Sequence, residues 1–391
     1  LSNSMDEYLI SSSSSLPSDA TECEVLEDWL GKFTDSGNKT GPIRKFTVTN
    51  TKSKLSLSVQ VINYGATITS LKLKDPLSGI EHDIVLGFDM VEHYYNNIPY
   101  FGSLVGRCAN RIAKGKFNLH NSEFRLPVNN GPNHLHGGLF GFDKHLFESH
   151  VQGNSIVFSY TSSDGEEGYP GAVHCQVKYT VTDADELVIE YKAKSNKPTP
   201  INLTNHSYFN LAGHKTNNMA SQLKEHYIAI NAQTYTPVDE NLIPTGEIAP
   251  VSGTPYDLTK FTKMDDIFRT FPVGLDHNFC VKSKASKELS LAAFVYHPGN
   301  SLVMEVYTTT PGIQFYMGNS IPNDLKGKAG IRYGKHSGFC LETQYYPNYI
   351  NQPNFPQSVS YPGNDYLETT VYKFSSVKQC DLCIPNFTDF S

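Results

Sequence analysis

An all-β sandwich or barrel is what side-chain alternation predicts for most of this 391-residue chain. Leu55, Leu57, Val59 and Val61 alternate with Ser56, Ser58 and Gln60, the period of a strand with one buried face. The same period returns at Cys175, Val177, Tyr179 and Val181, and again at Leu289, Leu291 and Ala293. Turn-forming residues punctuate these runs: Asp75-Pro76 with Ser78-Gly79, Asp164-Gly165, Pro298-Gly299-Asn300 and Pro362-Gly363. Helical stretches are short, as around Asp265 to Phe268, while aromatic residues make up 12% of the chain. Many short strands with polar turns and few helices mean strands packed on strands.

The first 43 residues read differently. Ser11 to Ser15 is a polar homopolymer with nothing to bury, so a disordered arm is expected there. Thr21 and Glu24 stand at capping-box spacing, and Val25, Leu26, Trp29, Leu30 and Phe33 fall on one helical face. This predicts a short amphipathic helix packed on its own domain. The only Trp, at position 29, lies away from every candidate site. No Gly/Pro/Ser-rich linker divides 44–374, which predicts one large β domain, and 375–391 is expected as a tail on its surface.

The formal charge is −7 and the pI about 6.1, which leaves no excess of Lys and Arg to displace counterions from nucleic-acid phosphates. No run of about 18 apolar residues is present, so no membrane span is expected. The amino end has no basic and apolar secretory pattern. Seven scattered cysteines fit reduced thiols in a cytoplasmic protein better than a disulfide framework. Cys380 and Cys383 form a lone CxxC with no second pair of zinc ligands beside it. The N-x-S/T triplets at Asn38, Asn202, Asn205 and Asn386 arise easily in a chain of this composition and establish nothing about secretion.

Polar clusters interrupt the β pattern at 106–112, 132–138, 202–210, 276–278 and 341–344. His134 and His136 have the spacing that aims two imidazoles to one side of a strand, but Phe140 and Gly141 stand where a further carboxylate ligand would be wanted. His134 alone is read as a hydrogen-bonded structural group. Gly137-Gly138 suggests a close backbone approach beside His136. Ser207, His206 and Asp276 supply the side chains of a hydrolase triad, yet neighbours on a strand point to opposite faces and no G-x-S-x-G elbow occurs. Asp276 with Glu342 as a glycosidase pair stays open on residues alone. A sugar site needs amide, guanidinium and carboxylate groups with aromatic faces. Asn110, Arg111, His136, Asp276 and Gln314 are suitable, with Glu342 as base and His206 as acid. The plainer alternatives are a surface carboxylate for Glu342, against which stands its apolar strand Phe339-Cys340-Leu341, and an ordinary ion pair for Arg111.

In this order, Asn63 to Ala66, Gly106 to Ile112, Asn133 to Gly138, Asn202 to Gly213, Tyr235 to Asp239, Leu275 to Phe279, Pro311 to Tyr316 and Leu341 to Gln344 resemble the galactose mutarotase (aldose 1-epimerase) family. The resemblance covers about 45–374. It implies a β-supersandwich of large antiparallel sheets, no metal and no organic cofactor. It implies Glu342 as proton acceptor and His206 as proton donor. Substrate-binding roles fall on Asn110, Arg111, His136, Ser207, Tyr208, Asp276 and Gln314. Cys108 and Asn348 are the minor departures from the pattern. The implied protein is an isomerase that interconverts aldohexose anomers, expected as a monomer with a dimer as alternative. A non-catalytic sugar-binding or regulatory protein on the same fold is the competing reading, and a structural β protein binding partners through its amino-terminal helix is a third.

Overall fold

The computed structural model describes residues 23–76, 78–281, 287–385 and 387. Among these, the alternating segments form three larger antiparallel sheets and several two-stranded ladders. The largest sheet runs Glu148–Gln152, Ser155–Ser162, Val173–Val181, Glu186–Ser195, Tyr366–Ser376, Leu302–Thr308, Ser290–His297, Tyr227–Ile230 and Thr262–Lys263. Alternation decides its faces. Val177 and Tyr179 point inward, as do their cross-strand partners Tyr191 and Ile189. The late strand Tyr366–Ser376 enters the middle of the sheet and pairs on both sides.

A second sheet takes Cys23–Thr34, Thr40–Asn50, Ser58–Ile62, Thr67–Lys74 and Glu81–Asp83 in chain order. Its inward residues Phe46, Val59, Val61, Leu71 and Leu73 share one apolar core with the large sheet. The Ser-rich arm and Thr21 lie outside the described residues. The helix expected after them is corrected: Cys23–Thr34 is a strand, antiparallel to Thr40–Asn50. A bulge between Trp29 and Lys32, with Gly31 at φ +110°, shifts the alternation. Val25 therefore packs on the main core and Leu30 and Phe33 on a second cluster, while Leu26 and Trp29 stay exposed. The apolar spacing that mimics a helical turn is thus two strand phases joined at a bulge. The strand Thr40–Asn50 crosses position 44, where the domain is expected to start.

A bulge also explains Leu289. The shift between Leu291 and Ala293 breaks the alternation, and Leu289 is exposed just ahead of Ser290–His297. After Ser376 the chain lies across the large sheet. There Phe387 is buried against Ala229, Phe294, Tyr296 and Val303, with Val377 and Leu382 beside it. Among the described residues no helix is long and apolar enough to cross a membrane.

The third sheet positions the site. Its order is Ala249–Pro250, Thr234–Tyr235, Asp276–Cys280, Gly312–Tyr316 and Cys340–Gln344. Phe279, Ile313, Phe315 and Leu341 enter the main core from one face. The opposite face carries two rows in register: Asp276, Tyr316 and Cys340, then Asn278, Gln314 and Glu342. A strand with an apolar side and a polar side thus anchors the site by its back. Phe315 is fully buried behind Gln314 and Tyr316. Phe315→Ala is expected to cost about 3–5 kcal/mol in urea unfolding; a loss below about 1 kcal/mol would show that this anchor is not needed.

Candidate active site

The polar face of the third sheet forms one wall of a cavity of about 290 Å³. Loops carrying the other polar clusters close the rest, and backbone pairing brings them together. Arg111–Ile112 pairs with His134–Leu135, and Thr204–Asn205 pairs with Leu104–Val105. His206 continues the latter ladder, its N–H donating to the Ser103 carbonyl at 2.9 Å and its carbonyl accepting from Gly102 N–H at 3.0 Å.

The period of two then sorts the 205–208 segment. His206 and Tyr208 face the cavity with rings nearly parallel, 5.0 Å apart at 22°. Asn205 and Ser207 face away, and the Ser207 hydroxyl donates to Asn205 Oδ1 at 2.6 Å. Ser207 therefore braces its own loop and does not line the cavity, which corrects its expected place on the sugar-binding wall. The same geometry removes the hydrolase triad, since Ser207 and His206 occupy opposite sides of the chain.

Glu342 meets His206 across the cavity: Oε2 lies 3.6 Å from Nε2, and both side chains are almost fully buried. Among the described residues Glu342 Oε2 has no hydrogen-bond partner. Burial pushes the Glu342 carboxyl well above the usual carboxylate range, with the negative Asp276 adding to the rise and Arg111 opposing it. Burial pushes His206 down to about 4. The empty pair thus favours a neutral carboxyl and a neutral imidazole, which together hold one exchangeable proton.

Asp276 accepts from Gln314 Nε2 at 2.6 Å and lies 3.8 Å from Arg111 Nη1. Gln314 Oε1 accepts in turn from Gln344 Nε2 at 3.2 Å, so Gln314 sits behind Asp276 and fixes its carboxylate. Arg111 is oriented by Nε donating to Asn130 Oδ1 at 3.0 Å. Asn110 and His136 hold each other: Asn110 N–H donates to His136 Nδ1, and His136 N–H donates to the Asn110 carbonyl, both at 3.1 Å. Both residues adopt left-handed backbone, at φ 60° and 51°. The glycines beside them show why: a Cβ on Gly137 would lie 1.8 Å from the Gly106 carbonyl oxygen, the close approach expected there.

Sequence reasoning missed Tyr100, Tyr316 and Cys340. Tyr316 was available from alternation, two residues beyond Gln314. Tyr100 was not, because it reaches the cavity through left-handed backbone, φ 62°, in a loop; its ring lies 5.9 Å from His206 and 4.9 Å from His136.

His136, His206 and Glu342 place one donor atom each within 4.8 Å of one another, close enough for a metal ion. Protons decide against that use. His136 Nδ1 accepts the Asn110 backbone N–H, so the neutral ring carries its hydrogen on Nε2, and neither nitrogen offers a free lone pair. His134 is occupied as well, by the Pro127 carbonyl and the Tyr169 hydroxyl, each at 2.7 Å. It has the structural role expected of it.

Known proteins supply the context for this geometry. Residues 46–373 match the family described as aldose 1-epimerase. The chain is 50% identical over 344 residues to the galactose mutarotase of Sus scrofa, covering 88% of this chain and 97% of that protein. It is 51% identical to that of Homo sapiens over 320 residues, 82% and 91% of the two chains. The aldose 1-epimerase of Escherichia coli is 33% identical over 344 residues, 85% of this chain and 95% of its own. Among solved structures, an aldose epimerase homologue from C. elegans superposes with a TM-score of 0.77 at 29% identity, covering 83% of this chain and 97% of that one. A galactose 1-epimerase from Lactobacillus acidophilus gives 0.73 at 26% identity, covering 90% and 99%. With its all-β architecture and its match over most of its length, the chain belongs to the aldose 1-epimerase family of isomerases.

Proposed function

We propose that the protein interconverts the α and β anomers of aldohexoses such as D-galactose and D-glucose, with Glu342 as base and His206 as acid. The observation that carries this reading is the unpartnered Glu342 Oε2, buried 3.6 Å from His206 Nε2 in a small polar cavity. The cavity, about 290 Å³, is at the lower end of ligand pockets, a size for one small molecule. Relatives named galactose mutarotase at about half identity support the substrate class.

With a closed ring bound, the pair carries its proton on His206 and leaves Glu342 ionised. Glu342 removes the proton from the C1 hydroxyl while His206 Nε2 protonates the ring oxygen, and the C1–O5 bond opens to the aldehyde. Rotation about C1–C2 presents the other carbonyl face. Closure then returns the proton from Glu342 to O1 and the O5 proton to His206. The pair holds one proton before and after each step, so the buried cavity never changes its net charge. Two proton transfers at about 10²–10⁴ each lower the barrier by about 5–11 kcal/mol if they multiply. Asn110, Arg111, His136 and Asp276 hold ring hydroxyls, and Tyr208 and Tyr100 flank the imidazole. The seven unpaired cysteines support a reducing, cytoplasmic setting.

Glu342→Gln keeps the shape of the base and removes its function. Polarimetry on fresh α-D-galactose should show a fall of about 10²–10⁴ in kcat with sugar binding retained, and near-normal rates would remove Glu342 from this role. The pH profile of kcat/KM should be bell-shaped. Below about 4 a second proton enters the pair and leaves no base, in line with the lowered His206; above the raised range of Glu342 the last proton leaves and no acid remains. A profile flat from pH 3 to 10 would contradict a shared proton. Zinc titration should give the same isotherm for the wild type and His136→Phe; loss of a binding site in the variant would restore the metal reading.

A further inference from the structure

The strand that presents Glu342 also reaches the other nitrogen of the same imidazole. Cys340 lies two residues earlier on the same face, and its Sγ is 3.6 Å from His206 Nδ1. The thiol is completely buried and the imidazole nearly so. One edge of one strand thus addresses both ring nitrogens, a carboxyl at Nε2 and a sulfur at Nδ1.

Two hydrogen positions satisfy a thiol beside Nδ1. If S–H donates, the neutral ring has its only proton on Nε2, and the contact is lost when both nitrogens become protonated. If Nδ1–H donates to sulfur, the contact survives in the neutral and the charged ring alike. Glu342 favours the second arrangement: burial raises its carboxyl well above the usual carboxylate range, and the proton that this favours on it faces Nε2, 3.6 Å from Oε2. Burial, with Glu342 and Asp276 nearby, pushes the Cys340 thiol well above its ordinary range, so the sulfur is not a thiolate that would hold the ring charged.

We infer that Cys340 is a positioning residue for the acid, its sulfur accepting Nδ1–H of His206 so that Nε2 alone exchanges a proton with substrate. The inference rests on His206 being the acid. Sulfur suits this task because it is a weak acceptor: it fixes the ring's orientation and tautomer and leaves the Nε2 proton labile. A carboxylate at the same place would stabilise the imidazolium and make it a poorer donor.

The test combines polarimetric kinetics with NMR of the full chain labelled with ¹⁵N-histidine, the His206 signals being identified by their loss in His206→Asn. In the empty wild type at neutral pH, His206 should show a protonated Nδ1 and an unprotonated Nε2. Cys340→Ser keeps an acceptor and should retain that tautomer with kcat within about threefold of wild type. Cys340→Ala removes it and should lose the fixed tautomer and about tenfold or more of kcat, with KM changed less than about threefold. The inference is overturned if wild-type Nδ1 carries no proton, or if Cys340→Ala keeps both tautomer and kcat. Should Cys340→Ala fail to fold, the wild-type spectrum and Cys340→Ser still decide. A wild type without mutarotation would refute the proposed function instead, a result the spectrum cannot imitate.

Discussion

Removing one carboxyl and one imidazole from water together is the constraint on which the cavity is built. Either group charged alone would be costly there, because burial in a low-dielectric interior disfavours an uncompensated ion. Glu342 and His206 lie 3.6 Å apart, and in the proposed function they avoid that state because a single proton serves both. Arg111 and Asp276 bring opposite charges to the rim of the same space, 3.8 Å apart, and oppose one another in their effect on Glu342. In the proposed function the result is a site that binds polar hydroxyls without carrying a net charge of its own.

The fold supplies this placement through backbone geometry more than through any local motif. The third sheet is held from behind by Phe279, Ile313, Phe315 and Leu341, and its other face is therefore free to carry Asp276, Gln314 and Glu342. His206 is delivered from the opposite side by a two-residue ladder and the hydrogen bonds that extend it. Asn110 and His136 are locked by reciprocal bonds in left-handed backbone, and such strain is sustained where surrounding structure over-determines it. Those same bonds fix the His136 tautomer with its hydrogen on Nε2, which suits a cluster with metal-like spacing to donating a hydrogen bond rather than to ligating an ion.

Much of this was legible in the sequence because a strand's period is short and local. Alternation gave the sheets, and the ordered motifs gave the family and brought Asn110, Arg111, His136, His206, Tyr208, Asp276 and Glu342 to one cavity. Where the period slips, reading fails. The bulge between Trp29 and Lys32 makes two strand phases look like one helical face, and the bulge after Leu291 leaves Leu289 outside. Ser207 shows the opposite error: a motif carried it into the site as a block, although alternation places it with Asn205 on the far side. Tyr100 and the Cys340–His206 contact depend on loop backbone and on residues 134 positions apart, and no local pattern encodes either.

Infrared difference spectroscopy on the protein with and without galactose tests the shared proton most directly. The empty enzyme at neutral pH should show the carbonyl stretch of a protonated carboxyl group that disappears in Glu342→Gln and weakens when sugar binds. A wild-type spectrum with no such band would mean that Glu342 is already ionised in the absence of sugar, contradicting a neutral carboxyl beside a neutral imidazole.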